Sequence, residues 1–204
     1  MKDAKVSEII KLGATLMLYA TVACVGLAFV YAATKTVIEQ RSQADLEAAL
    51  KVVFPNADSF GDLGGAIQSP DASVSFGAQY EALQGGNVIG AAITAIGSSY
   101  GGPATVLVGV GADGQISGIK IMELSDTPGL GANAASPGYF VNRAGGVTFY
   151  GQFAGKSAAD PFEVSRDVIP ITAATISSRA ISVIVKNAGI AGKTWLDSQR
   201  GGVK

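Results

Sequence analysis

The sequence predicts an α+β protein: one N-terminal transmembrane helix with a stalk, followed by an antiparallel-sheet domain with packed helices. Three observations carry this. Leu12–Thr34 contains no charged residue. Between Tyr80 and Glu123, short apolar runs alternate with turn signals. The stretch "DVIPITAATISSRAISVIVKNAG", Asp167 to Gly189, repeats apolar residues at helical spacing behind a proline.

The first element is the span. Hydrophobic residues make up 48% of the chain and charged residues only 15%, below the ~25% typical of soluble proteins, so the apolar excess is concentrated somewhere. Leu12–Thr34 holds it: at ~1.5 Å rise per residue it reaches roughly 34 Å as a helix, enough for a hydrocarbon core of about 30 Å. Its length favours an uncleaved anchor over a signal peptide, whose apolar region runs ~7–15 residues. Residues 1–11 form a short leading segment; Lys2, Lys5 and Lys11 precede the span while Lys35, Arg41 and Lys51 follow it at increasing distance, so the positive-inside rule favours a cytoplasmic leading segment only by a small margin. Residues 35–54 read as a helical stalk, because Val37, Ile38, Leu46, Leu50 and Val53 recur among charges without Gly or Pro until Pro55.

Residues 55–190 form the folded domain and 191–204 a tail. "FPNADSFGDLGG" reads as a loop. Asp113-Gly114, between Val106–Val110 and Ile116–Met122, predicts a hairpin. "LSDTPGLGANAASPGYFVNRAGG" is a long Gly/Pro-rich loop with a short helix around Tyr139–Arg143, and a loop of that length is usually functional or disordered. In the last helix Ile176, Ala180, Val183, Ile184 and Ala188 form the apolar face, Thr172 is the N-cap and Gly189 the stop.

Composition excludes much chemistry. The chain has no histidine and a single cysteine, Cys24, inside the apolar run, so Cys/His zinc sites, His-ligated haem and Ser-His-Asp triads lack a required member. A formal net charge of −1 leaves no footprint for nucleic acid. Redox or transfer chemistry in the domain therefore needs a bound cofactor. A helix N-terminus offers free N–H groups and partial positive charge to a phosphate. With Thr172 as N-cap, Thr175 is in the first turn and Arg179, four residues on, shares its face. Simple capping by threonine accounts for the same residues, and residue chemistry leaves both readings open.

The stretch "TAATISSRA", Thr172–Ala180, resembles the covalent flavin attachment motif, Ser/Thr-Gly/Ala-Ala-Thr-x-Ser/Thr, of the FMN-binding domain in the G component of the Rnf electron transport complex and the C component of the sodium-pumping NADH:quinone oxidoreductase. "YGGPATVLVGVGADGQISGIKIMELSDTPGLG", Tyr100–Gly131, is similar to the same family's Gly-rich turn, hairpin and Glu-Thr-Pro-Gly-Leu-Gly loop, and the likeness covers most of Val52–Gly189. The chain departs from the pattern in four ways: Asp126 replaces the usual Glu, the His often found just upstream of it is absent, with Leu124 and Ser125 there, Ala173 stands where Gly is commoner, and Asp167 lies farther from the motif than the family's acidic residue.

The resemblance implies FMN joined by a phosphoester to Thr175, with Thr172, Ala173, Ala174, Ile176, Ser177 and Arg179 around the attachment point and Asp126, Thr127 and Leu130 contributing from the loop. It implies a single-pass electron carrier in the inner membrane with its domain on the extracytoplasmic side, in contact with membrane lipid. Its partners would be the membrane and peripheral subunits of an Rnf-type ferredoxin:NAD oxidoreductase coupled to Na+ or H+ movement, and during maturation a flavin transferase. The length favours the Rnf G component over the longer C component of the quinone oxidoreductase. A cofactor-free envelope interaction module would explain the span, the stalk and the near-neutral surface, but not the two motifs.

Overall fold

A computed structural model describes residues 2–201. Helix α1 runs Lys2–Val53 without a break. It contains a stretch of mean hydropathy 2.0, none of it buried, that is long and apolar enough to cross a membrane. The hydroxyls of Thr15, Thr21 and Thr34 each donate to the carbonyl four residues back, at 2.8 Å. This pairing gives polar side chains a partner where lipid would supply none.

The chain divides into two compact units at Leu46/Glu47, so the last turns of α1 belong to the folded domain. Ala49, Leu50 and Val53 are buried there. The domain's sheet is a meander, β1 (Ser59–Asp62), β2 (Val74–Gln84), β3 (Asn87–Ser98), β4 (Pro103–Gly111) and β5 (Ile116–Leu124), in that spatial order and antiparallel throughout. The Asp113-Gly114 hairpin forms as expected, with Gly114 at φ 80°. The helix α2 (Thr175–Gly201) closes the fold.

Alternation along the strands assigns the two faces. Gly109 pairs with Gly118 across β4 and β5, and a Cβ on Gly109 would meet Val53 Cγ1, so the missing side chains make a trough for the end of α1. On the opposite face Ile93, Val106, Val108 and Val110 join Ile181, Ile184, Val185 and Ala188 of α2 in the main core, along with Phe149, Phe153 and Phe162. The sheet is thus covered on both sides.

Several expectations are corrected. "SFGD" is not loop but the short edge strand β1, paired with β2, and β2 begins at Val74 rather than Tyr80. A bulge between Phe76 and Gln79 turns the Gln79 amide inward, where it accepts from Ile67 N and donates to Ile67 O, both at 2.8 Å. The helix expected around Tyr139–Arg143 is instead β6 (Phe140–Asn142), paired with β7 (Val147–Thr148). Its turn is closed by Asn142 Oδ1, which accepts from Gly145 N, and by Gly146 at φ 64°.

Gly189 does not stop α2. A Cβ there would lie 3.2 Å from Ile116 Cδ1 and 3.3 Å from the Ala158 carbonyl, so the glycine serves close packing inside the helix. Nor do residues 191–201 form a tail, because Ala191 and Leu196 are core residues of the same helix. Ile176 departs from the expected apolar face and is 61% exposed. The end of the expected tail, 202–204, and Met1 of the leading segment 1–11 lie outside the described residues.

Candidate functional site

The start of α2 is built differently from the simple cap that its sequence suggests. Thr172 lies in a turn ahead of the helix, and its N–H donates to Tyr139 Oη at 3.1 Å. Ala173 adopts φ 60°, which bends the chain so that helical geometry begins only at Thr175. Ala174 therefore occupies the N-cap position, and Thr175 is the first helical residue rather than the third. Ser178 secures the turn, accepting from Ile171 N at 3.0 Å and donating to Ala174 O at 2.9 Å. An alanine N-cap has no side-chain oxygen for the first-turn N–H groups of Thr175, Ile176 and Ser177, which have no intrahelical partner. Their dipoles and N–H bonds stay available to an anion.

The loop after β5 faces this helix end. The Thr127 carbonyl accepts from Leu130 N at 3.1 Å and Ala132 N at 3.2 Å, Gly129 takes φ 78°, and a 3₁₀ turn follows at Gly131–Ala135. Gly131 packs so closely that a Cβ would meet Ser177 Oγ and lie 2.6 Å from Asp126 Oδ2. The β3–β4 turn, which carries Tyr100, completes the wall, with Ser99 N donating to Gly102 O at 2.7 Å.

These pieces enclose a cleft of about 400 Å³ lined by Tyr100, Thr127, Leu130, Gly131 and the run Ala173–Ser177, within the ~300–1,000 Å³ of small-molecule sites. Its lining combines the Thr175 hydroxyl and the uncapped helix end with the exposed apolar side chains of Tyr100, Leu130 and Ile176. A ligand with a phosphate at one end and a flat apolar body at the other matches both chemistries.

Of the residues named from sequence, Thr127, Leu130, Ala173, Ala174, Thr175, Ile176 and Ser177 line this cleft. Thr172 does not. Arg179 lines a neighbouring groove with Ser73, Val74, Gly97 and Ser98, which shares Ile176 with the cleft. Asp126 is buried behind the wall, accepting from Ser99 Oγ and Gly101 N, both at 2.7 Å. Burial alone would raise its carboxyl pKa, but hydrogen bonds from Ser177, Ser99 and Gly101 outweigh that and hold it below the ordinary aspartate value. Asp167 stands away from the cleft and accepts from Phe162 N at 3.0 Å and Glu163 N at 2.6 Å.

Sequence reasoning misses Tyr100, Gly131, Ser99 and Tyr139. An aromatic residue directly before Gly101-Gly102-Pro103 is the available signal for Tyr100, since turns present such side chains outward. Nothing local marks Tyr139, whose partner Thr172 is distant in the chain.

Comparison with known proteins identifies the family of the domain that carries this cleft. The family model of the FMN-binding domain matches residues 99–189, and that of the RnfG N-terminal region matches residues 1–53. The G component of the ion-translocating oxidoreductase complex of Cereibacter sphaeroides (strain ATCC 17029 / ATH 2.4.9) is 33% identical over 188 residues, covering 88% of this chain and 82% of its own. The G component of the Na(+)-translocating ferredoxin:NAD(+) oxidoreductase complex of Acetobacterium woodii is 30% identical, covering 85% and 86%. Its counterpart in the proton-translocating ferredoxin:NAD(+) oxidoreductase complex of Clostridium ljungdahlii is 28% identical, covering 92% and 93%.

Proposed function

Because this chain belongs to the family of G components of ion-translocating oxidoreductase complexes and carries that family's FMN-binding domain, we propose that it is a membrane-anchored electron carrier whose FMN is joined by a phosphoester to Thr175. The observation that carries the reading is the position of Thr175, in the first turn of a helix with an alanine N-cap, in the lining of a cleft that also contains Tyr100, Leu130 and Ile176. Bound FMN supplies one- and two-electron transfer. The chain's own residues bind and orient it. The N–H groups of Thr175, Ile176 and Ser177 offset the phosphate charge, Tyr100, Leu130 and Ile176 shield the apolar body from water, and Arg179 adds positive charge one turn along the helix.

Attachment requires help from outside. A threonine hydroxyl is a weak nucleophile without an adjacent base, and the chain has no histidine. A flavin transferase acting on FAD supplies that base. The Thr175 Oγ–phosphorus bond forms, the pyrophosphate bond of FAD breaks, AMP leaves, and the hydroxyl proton passes to the transferase. A covalent cofactor cannot dissociate between electron transfers, which suits a carrier held at a membrane. The partners are the membrane and peripheral subunits of an Rnf-type ferredoxin:NAD oxidoreductase that moves Na+ or H+, and the domain stands on the extracytoplasmic side of the anchor.

Mass spectrometry of the denatured chain, purified from a host with active transferase, tests the attachment. We expect an FMN-sized adduct on the peptide containing Thr175, lost in Thr175→Ala and kept in Thr172→Ala. An unmodified wild-type chain, or an adduct that survives Thr175→Ala, refutes it.

A further inference from the structure

Asp126 is a carboxylate with no cation beside it. It is 5% exposed, and among the described residues no lysine or arginine pairs with it. Its two hydrogen bonds, from Gly101 N–H and the Ser99 hydroxyl, come from the β3–β4 turn that presents Tyr100. The Ser177 hydroxyl, on the first turn of α2 that presents Thr175, lies next to the carboxylate, both within 2.6 Å of where a Cβ on Gly131 would sit. Asp126 itself opens the loop that presents Thr127 and Leu130, and Gly131 lets that loop close against both Ser177 and the carboxylate. Every wall of the cleft therefore meets at this one group.

We propose that Asp126 is the positioning residue of the cleft: it does not line the cofactor's cavity but holds the turn, the loop and the helix end in the relative placement that presents Thr175 and orients the bound group. The inference rests on the flavin reading above. The chemistry is that of an ionised acceptor drawing donor groups from separate segments to one point, since hydrogen bonds to a charged partner are roughly twice as strong as neutral ones. Protonation or an amide replaces an acceptor site with a donor, and the hydroxyls of Ser99 and Ser177 must rotate to accommodate it. The titratable and charged side chains on the elements around it are Tyr100 on the turn, Lys120 and Glu123 on β5 and, along α2, Arg179, Lys186, Lys193, Asp197 and Arg200. Tyr100, Lys120, Glu123 and Arg179 are exposed, and none of these groups pairs with the Asp126 carboxyl.

The test uses the full chain produced with its transferase, as wild type, Asp126→Asn, Asp126→Ala and Ser99→Ala. Covalent flavin is measured by fluorescence after denaturation, and the environment of the bound flavin by visible circular dichroism between pH 8 and pH 3, with far-ultraviolet dichroism reporting the fold. We expect a wild-type visible signal that is flat at neutral pH and changes below about pH 4, where an aspartate begins to protonate. Asp126→Asn should have an altered signal already at pH 7 and no acid transition, with the far-ultraviolet spectrum of the wild type. Asp126→Ala should be flavinylated on the order of tenfold more slowly at limiting transferase, the factor set by one charge-assisted hydrogen bond.

Should the Asp126 variants not fold, Ser99→Ala, which keeps the carboxylate and releases only the turn, must alter the visible signal in the same direction. A wild-type visible signal and acid transition in Asp126→Asn, or in Ser99→Ala when that variant carries the test, overturns the proposal alone. A wild-type chain with no covalent flavin overturns the attachment reading and this inference with it.

Discussion

Replacing Ala173 by glycine should stabilise the domain. Ala173 is held at φ 60°, where the Cβ of an L-residue crowds the backbone at roughly 1–2 kcal/mol. Glycine removes that strain, and because Ala173 is exposed, no packing is lost with its methyl group. The opposing effect is the greater freedom of glycine in the unfolded chain, about 0.4–1 kcal/mol. The difference leaves a net gain of up to about 1.6 kcal/mol, roughly 0.8 kcal/mol at mid-range, which for a domain of this size raises the midpoint of thermal unfolding by about 2–3 °C. The assay is thermal unfolding of the full chain in detergent, followed by far-ultraviolet dichroism, with Ala173→Val as control. Valine, being β-branched, tolerates this conformation less well than alanine, so its midpoint should fall. An unchanged or lower midpoint for Ala173→Gly would refute the argument that the turn ahead of α2 is strained.

Three further outcomes are expected. Gly109→Ala drives a methyl group into Val53 and to 2.9 Å from Phe54 Cε2, an overpacking cost of about 1–3 kcal/mol read as a lower urea midpoint and faster amide exchange at Ala49–Val53. Gln79→Leu leaves the N–H and carbonyl of buried Ile67 without partners, at about 1–3 kcal/mol for each group, and exchange at the Ile67 amide should rise accordingly. Acid should weaken the domain through Asp126. Its folded carboxyl lies below the unfolded value, so its contribution is whole above about pH 4 and is lost as pH falls through the folded value. Urea midpoints measured from pH 7 to pH 3 should therefore drop less steeply in Asp126→Asn than in the wild type.

What the sequence discloses and what it hides follow from the range of the interactions involved. The apolar run of Leu12–Thr34 and the Asp113-Gly114 hairpin are local patterns, readable because hydropathy and turn chemistry act over a few residues. The edge strand in "SFGD" is hidden because four residues of mixed polarity carry no period and exist as a strand only by pairing with β2. Gly189 misleads for a related reason: a helix stop and a close-packing glycine look alike until Ile116 and Ala158 are seen against it. At the cleft, the motif residues are visible as a string. Their geometry is not, because it depends on Ala173 turning left-handed, which delays the helix to Thr175. Asp126 reads as a cofactor contact in the sequence, whereas its hydrogen bonds to Ser99 and Gly101 lie behind the wall.

The meander order of the sheet bears on when the proposed attachment could occur. Each strand pairs with its neighbour in sequence, so the loops to be closed are short and pairing can proceed hairpin by hairpin as the chain emerges. Helix α2 follows every strand and packs back on β3 and β4, so its docking waits on the hairpins it packs against. Under the proposed attachment, the acceptor threonine is presented with that docking step. A chain stalled beforehand has Thr175 but no cleft around it, so a transferase that recognises the assembled cleft would modify only molecules that have finished folding, and the flavin would serve as a record of completed assembly.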